Sequence, residues 1–328
     1  MAMLSTRIVE GEKIAIAPPC AAFGERVKAD KTLTAEFVDL SRSVTGFLSS
    51  ALTDVPLIRV DNVTEFVYGE TASGSSWDLR DLPTLVPPFP ATFVETTSPP
   101  NVVSKDIPAW GAVFSRTEGL ESLNISTAVP EDEVRWAVET LFVADIKGVL
   151  KAYPVLLYLY LDSDGKLVLD HKKGFYYDSV LLMNDELASV VERDQDWAKL
   201  EDNIFNLLLP FFVSLAFLNC KNVTLEALPI SRQQRRQAER RGDQLLDYRI
   251  LNVEPMKRVL RTEGRVEEVG PKQALHICRG HFKTYNEDRP LFGKVAGTWF
   301  WESSIRGSLA RGKVEKDYLV NPPRTDSH

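Results

Sequence analysis

The feature that most constrains the fold is the stretch PVLLYLYLDSDGKLVLDH, residues 154–171. An apolar run meets Asp162-Ser163-Asp164-Gly165, and a second alternating run follows. Apolar runs on either side of an Asp/Gly turn are the signature of a β-hairpin, so the chain must contain a sheet. Upstream, WAVETLFVAD (136–145) is rich in β-branched and aromatic residues and reads as another strand. ATFVET (91–96), set between the breaker-rich segments LPTLVPPFP and TTSPP, reads as one short strand. Helices accompany these strands. Leu33, Phe37, Val38, Leu40, Val44, Phe47 and Leu48 recur close to the 3.6 period over 32–51. Residues 183–197 and 200–219 also read as helices, and Pro210 interrupts the latter. The expectation is therefore an α+β protein.

The most apolar run, Ile204 to Leu218, is fifteen residues and contains Asn206, Pro210 and Ser214. A membrane span needs about twenty apolar residues, so this run reads as a buried core helix. Three cysteines far apart (Cys20, Cys220 and Cys278) make no disulfide framework, which favours a reducing cytoplasm.

Charge divides the chain. From Pro229 onward there are 20 Lys and Arg against 13 Asp and Glu, a net +7; the first 228 residues carry 19 against 33, a net −14. The domain reading is an acidic α+β body over 1–228, a basic module over 229–322 and a short tail over 323–328. The module opens with ISRQQRRQAERRG, in which Ser231 is a candidate cap, Gln234 completes a capping box and Gly242 is a stop. Spacings of three and four place Arg232, Arg235, Arg236 and Arg240 along one side of that helix. About four antiparallel strands are expected after it: 247–254, 274–285, 298–303 and 314–320. A basic module calls for an anionic partner, either nucleic acid or an acidic protein surface, which includes the chain's own acidic half. Nothing in the sequence defines an oligomeric state.

The stretch LHICRGHFKTY (275–285) concentrates the candidate chemistry. His276, Cys278 and His281 are metal-ligand types, but strand alternation points His281 away from the other two and no fourth ligand is evident; no metal or cofactor is predicted. Arg279, His281 and Lys283 at i, i+2 and i+4 share a strand face. Two cations flanking an imidazole suit a phosphate, and a neutral histidine beside them can act as general base in metal-free RNA cleavage. His276, Tyr285 and Glu287 are the candidate second proton-transfer groups. Binding requires less chemistry than cleavage. The arginine helix, Arg279 and Lys283 supply phosphate contacts, and Trp299 and Trp301, alternating onto one face of TWFWES, supply stacking surface for RNA or single-stranded DNA. The competing reading buries both tryptophans in the module's core. No phosphate-binding glycine loop, zinc-protease helix or nucleophile-elbow serine is present.

His276, Arg279-Gly280-His281-Phe282-Lys283, Trp299, Trp301 and Lys316-Asp317-Tyr318, together with AFLNCKNV and SRQQRRQAERRG, form a pattern over roughly 210–322. It resembles the C-terminal module of uncharacterised proteins of bacteriophages and bacterial mobile elements. That resemblance implies a phage or mobile-element setting and no mechanism. The expectation ranked first is nucleic-acid binding. A metal-independent ribonuclease or toxin-like hydrolase centred on His281, and a protein-interaction factor, are the alternatives.

Overall fold

The computed structural model describes residues 3–17, 28–72, 77–97, 106–123, 127–170, 174–182, 197–228, 230, 232–241, 246–253, 256, 259, 274–278, 280–302, 304–306 and 308–313. It is an α+β structure of two compact units, Met1–Val253 and Glu254–His328.

The first unit is built on a mixed nine-stranded sheet. Its centre is an antiparallel meander of β3 (Ala91–Thr97), β4 (Ala109–Glu118), β5 (Trp136–Ile146) and β6 (Val149–Leu161). The β5–β6 hairpin closes with two residues at positive φ, Lys147 (56°) and Gly148 (82°). That geometry matches strand twist, and Asp145 Oδ1 accepts from the Gly148 N–H at 2.7 Å. On the far edge of β6 lie β1 (Ala15–Ile16), parallel, and β7 (Tyr177–Leu181), antiparallel. On the other side β2 (Leu57–Arg59) runs parallel to β3 and to β9 (Tyr248–Val253), and β8 (Val223–Ala227) closes the edge beside β9.

Both faces of the sheet are covered. On one, Phe93, Val113, Leu141, Val143 and Ala152 pack with Leu4 and Ile8 of α1 (Leu4–Val9) and Val44 and Leu48 of α2 (Lys31–Ala51). On the other, Trp110 and Phe114 meet Phe211 and Phe212 of α4 (Trp197–Leu218), and Phe66 of α3 (Asp61–Ala72) meets Phe217. Pro210 has no N–H to give the Asn206 carbonyl; the Tyr68 hydroxyl donates to that oxygen at 3.4 Å, and the Trp110 indole donates to Leu207 O at 3.0 Å. No described helix is long and apolar enough to cross a membrane.

The strands expected at 91–96 and 136–145 and the helix at 32–51 are present, as is a helix over Trp197–Leu218. The hairpin at 154–171 is corrected in its second arm. Asp162 turns the chain, accepting from Asp164 N and Lys166 N at 2.9 Å each, and Gly165 takes φ 78°. Leu85 N–H then binds the Gly165 carbonyl at 2.8 Å, and only a bridge, Leu161↔Leu167, continues the pairing. The strand that lines β6 is β7.

The domain boundary also moves. The break expected after Leu228 falls after Val253, because β9 is sandwiched between β2 and β8 as an internal strand of the large sheet. The arginine helix, lying between β8 and β9 in the chain, goes with the first unit. Glu254–His328 is left with 14 Lys and Arg against 10 Asp and Glu, since six basic and three acidic residues of 229–253 transfer.

Among its described residues the second unit holds two small sheets. β10 (Ala274–Cys278) pairs antiparallel with β13 (Ser304–Arg306) and parallel with β14 (Ser308–Lys313); β11 (His281–Tyr285) pairs antiparallel with β12 (Gly297–Trp301). The single strand expected over 274–285 is therefore two strands in different sheets, and the module is not all antiparallel. The strand expected at 314–320, the helix over 183–196, Arg279 and the caps Ser231 and Gly242 lie outside the described residues.

Candidate nucleic-acid interface

α5 (Arg232–Arg241) occupies the connection between the edge strand β8 and its neighbour β9. The ladder's last rung is Leu228 N–H to Tyr248 O, 2.8 Å, so the helix belongs to the connection that follows that rung in the chain. Arginine, glutamine, glutamate and alanine are strong helix formers, which accounts for its local structure. Its only apolar residue is Ala238, so burial of an apolar stripe does not hold it. Arg232, Gln233, Arg235, Arg236 and Arg240 are all exposed. The side chains of these four arginines make no ion pair or hydrogen bond with any described residue. Four guanidinium groups on a ten-residue helix whose one acidic residue is Glu239 repel one another, and an anion facing them relieves that repulsion.

The second set of sequence candidates is in the other unit. Register places His281 opposite Trp301 and Lys283 opposite Trp299, so His281, Lys283, Tyr285 and both tryptophans share one face of the β11–β12 pair. Phe282 and Phe300 meet on the opposite face, with ring centroids 5.2 Å apart. His281 and Lys283 are exposed, and the Lys283 ammonium lies 4.9 Å from the centroid of the Tyr285 ring, a cation–π contact. Trp299, however, is only 8% exposed and packs with Met256 and Leu291, flanked by Trp301 and Tyr285. This corrects the stacking role expected of Trp299: a residue that closes a core cannot offer its ring to a base. His276 is on β10, in a different sheet from His281. The side chains of His276 and Cys278 lie outside the described residues. Among the described residues no three His, Cys, Asp or Glu side chains gather as a metal site.

One buried acid had no flag in the sequence. Glu95, 2% exposed on β3, accepts from the Ser5 hydroxyl (2.7 Å) and the Ser5 N–H (3.2 Å). Burial pushes its carboxyl up to about 7, against the pull of the Ser5 and Leu4 donors and of Arg59. The only available signal was a glutamate in the centre of an otherwise uncharged strand, Thr92-Phe93-Val94-Glu95-Thr96. Cys220 is buried, and that burial raises its thiol to about 12, so it is an inert packing residue.

Comparison with protein-family models, with curated proteins and with solved structures finds no match.

Proposed function

We propose that this protein binds nucleic acid through the arginine face of α5. The observation that carries the reading is the set of four exposed guanidinium groups, Arg232, Arg235, Arg236 and Arg240, with no anionic partner among the described residues. Arginine is the side chain best suited to phosphate, because its planar fork donates two parallel hydrogen bonds to two oxygens. The body that carries the helix is acidic: Met1–Val253 holds 25 Lys and Arg against 36 Asp and Glu. Attraction to a polyanion is therefore local to α5 and falls off within a Debye length, about 8 Å at physiological salt. The test is a titration of labelled nucleic acid with the full chain and with the R232Q/R236Q/R240Q variant. Glutamine keeps helix propensity and removes the charge. The reading expects the variant to bind more weakly to every sequence, with a flatter salt dependence, by close to one counterion per lost contact. Equal affinity of the two proteins across salt would overturn it.

A further inference from the structure

Resting on the reading above, the geometry points to one class of nucleic acid: we infer that α5 docks in the major groove of duplex DNA. The single-strand preference expected from the sequence depended on tryptophans offering their rings beside cations, and Trp299 does not offer its ring. Trp299 is buried in its own small core, and it belongs to the second unit while α5 belongs to the first. The helix itself, RQQRRQAERR, contains no aromatic residue. Single strands are held by bases stacked on aromatic rings beside a cationic track; α5 has the cations and lacks the rings.

Shape narrows the choice further. A helix with its side chains is about 10–12 Å across, and the B-form major groove is about 12 Å wide and admits one. The A-form major groove of duplex RNA is deep and narrow and does not. The helix is also placed so that it can enter a groove. It is inserted after the last rung between the edge strand β8 and its neighbour β9, and every side chain described on it is exposed.

The arginine distribution fits the same site. At about 100° per residue, Arg232, Arg236 and Arg240 advance in steps of roughly 40°, and Arg235 lies roughly 60° to the other side. The four therefore fan over an arc of roughly 140°, with Arg235 and Arg240 at its two limits. A helix lying on one strand's phosphates uses a narrow stripe, whereas a groove presents phosphates on two walls. Along the axis Arg232 and Arg240 are about 12 Å apart, so the contacts fall within a few base pairs. Such contacts set position and supply affinity without reading the bases, so binding is only weakly dependent on sequence.

The experiment compares the full chain on four probes of one sequence: a 20-base-pair DNA duplex, either strand alone, the RNA duplex, and a DNA duplex carrying glucosylated 5-hydroxymethylcytosine, which fills the major groove. The inference expects the plain DNA duplex to bind at least tenfold more tightly than the other three. Saturating the minor groove with distamycin should leave the affinity unchanged. In the R232Q/R236Q/R240Q variant the slope of log affinity against log salt should fall by about 0.9 for each lost contact, the value for B-DNA, and not by the 0.7 of single strands. Equal or tighter binding to single strands, to RNA duplex or to the glucosylated duplex overturns this inference. If the triple variant still weakens that binding, the broader reading survives; if it does not, both fall. The modified-duplex arm uses the unaltered protein, so a variant that fails to fold does not spare the proposal.

Discussion

The Ser5 hydroxyl lies 2.7 Å from Glu95 Oε1, and the Ser5 N–H donates to Oε2 at 3.2 Å. Ser5 is in the first turn of α1, whose cap residue Met3 makes no side-chain cap bond. A carboxylate from the middle of the sheet thus accepts from the orphan donors of a helix ninety residues earlier in the chain. The tyrosine of β9 completes the knot: the Tyr248 hydroxyl is 2.9 Å from Ser5 Oγ and 2.6 Å from Thr6 Oγ1. Three distant segments meet at one acid, and the helix donors, Arg59 and burial pull its protonation in opposite directions.

Burial wins, and the sign of the pH dependence follows. The folded carboxyl titrates near 7, above its ordinary value of 4.5, so between those values the folded chain holds a proton that the unfolded chain has lost. Stability from this group is complete below about pH 4.5 and is lost as pH rises to about 7, by up to about 3 kcal/mol. Above that it is level. Denaturant midpoints from pH 4.5 to 8 for the wild type and Glu95→Gln should diverge over this window, the variant lacking the decline. Parallel profiles would refute the assignment.

Ser5→Ala removes one donor that favours the ionised form. The Glu95 titration should then move further up, and the loss should cost about 1–3 kcal/mol above pH 7, where the charged oxygen is left with fewer partners. An NMR titration of the Glu95 side-chain carboxyl reads the shift. An unchanged or lowered midpoint means the hydroxyl does not govern the acid.

Much of the sheet was legible because its strands are dense in β-branched and aromatic residues. β3, β5 and β6 stand out by composition, and α2 by its period. What was not legible is non-local. Leu228-Pro229 looks like a domain break, yet the chain returns after α5 to place β9 between β2 and β8, a pairing invisible to local pattern. The turn at Asp162–Gly165 was readable from its chemistry, but the strand that lines β6 comes only after it, at Tyr177. At the candidate site, alternation correctly put both tryptophans opposite Phe300, but alternation cannot say which face is covered when both carry aromatics. Burial of Trp299 and Phe300 answers that: both are core.

The revised boundary makes a prediction by truncation. A chain ending at Val253 keeps β8 and β9 and should melt cooperatively with the far-ultraviolet spectrum of a mixed sheet. A chain ending at Leu228 removes β9, stripping β2 of one of its two partners and leaving β8 with none. Unpaired edges of that kind invite aggregation, so the shorter fragment should be insoluble or lose its cooperative transition. If the fragment ending at 228 is the more stable of the two, the unit does not extend to Val253.

Trp299 separates stacking from packing by a single position. Its indole is 8% exposed among Met256, Leu291 and neighbouring aromatics, and its Nε1 is buried without a hydrogen-bond partner. Trp299→Phe keeps most of the volume and discards that unsatisfied donor, so the penalty of a smaller ring is offset and the change should cost less than about 1.5 kcal/mol. Trp299→Ala opens a cavity and should cost about 3–5 kcal/mol of the stability of the Glu254–His328 unit. Neither substitution should alter affinity for duplex DNA, because the proposed phosphate contacts are those of α5 and the Trp299 ring is buried. The pair is measured by thermal melting and by titration with the labelled duplex. Loss of affinity in Trp299→Phe with the melting temperature unchanged would restore the stacking role and take the interface away from α5.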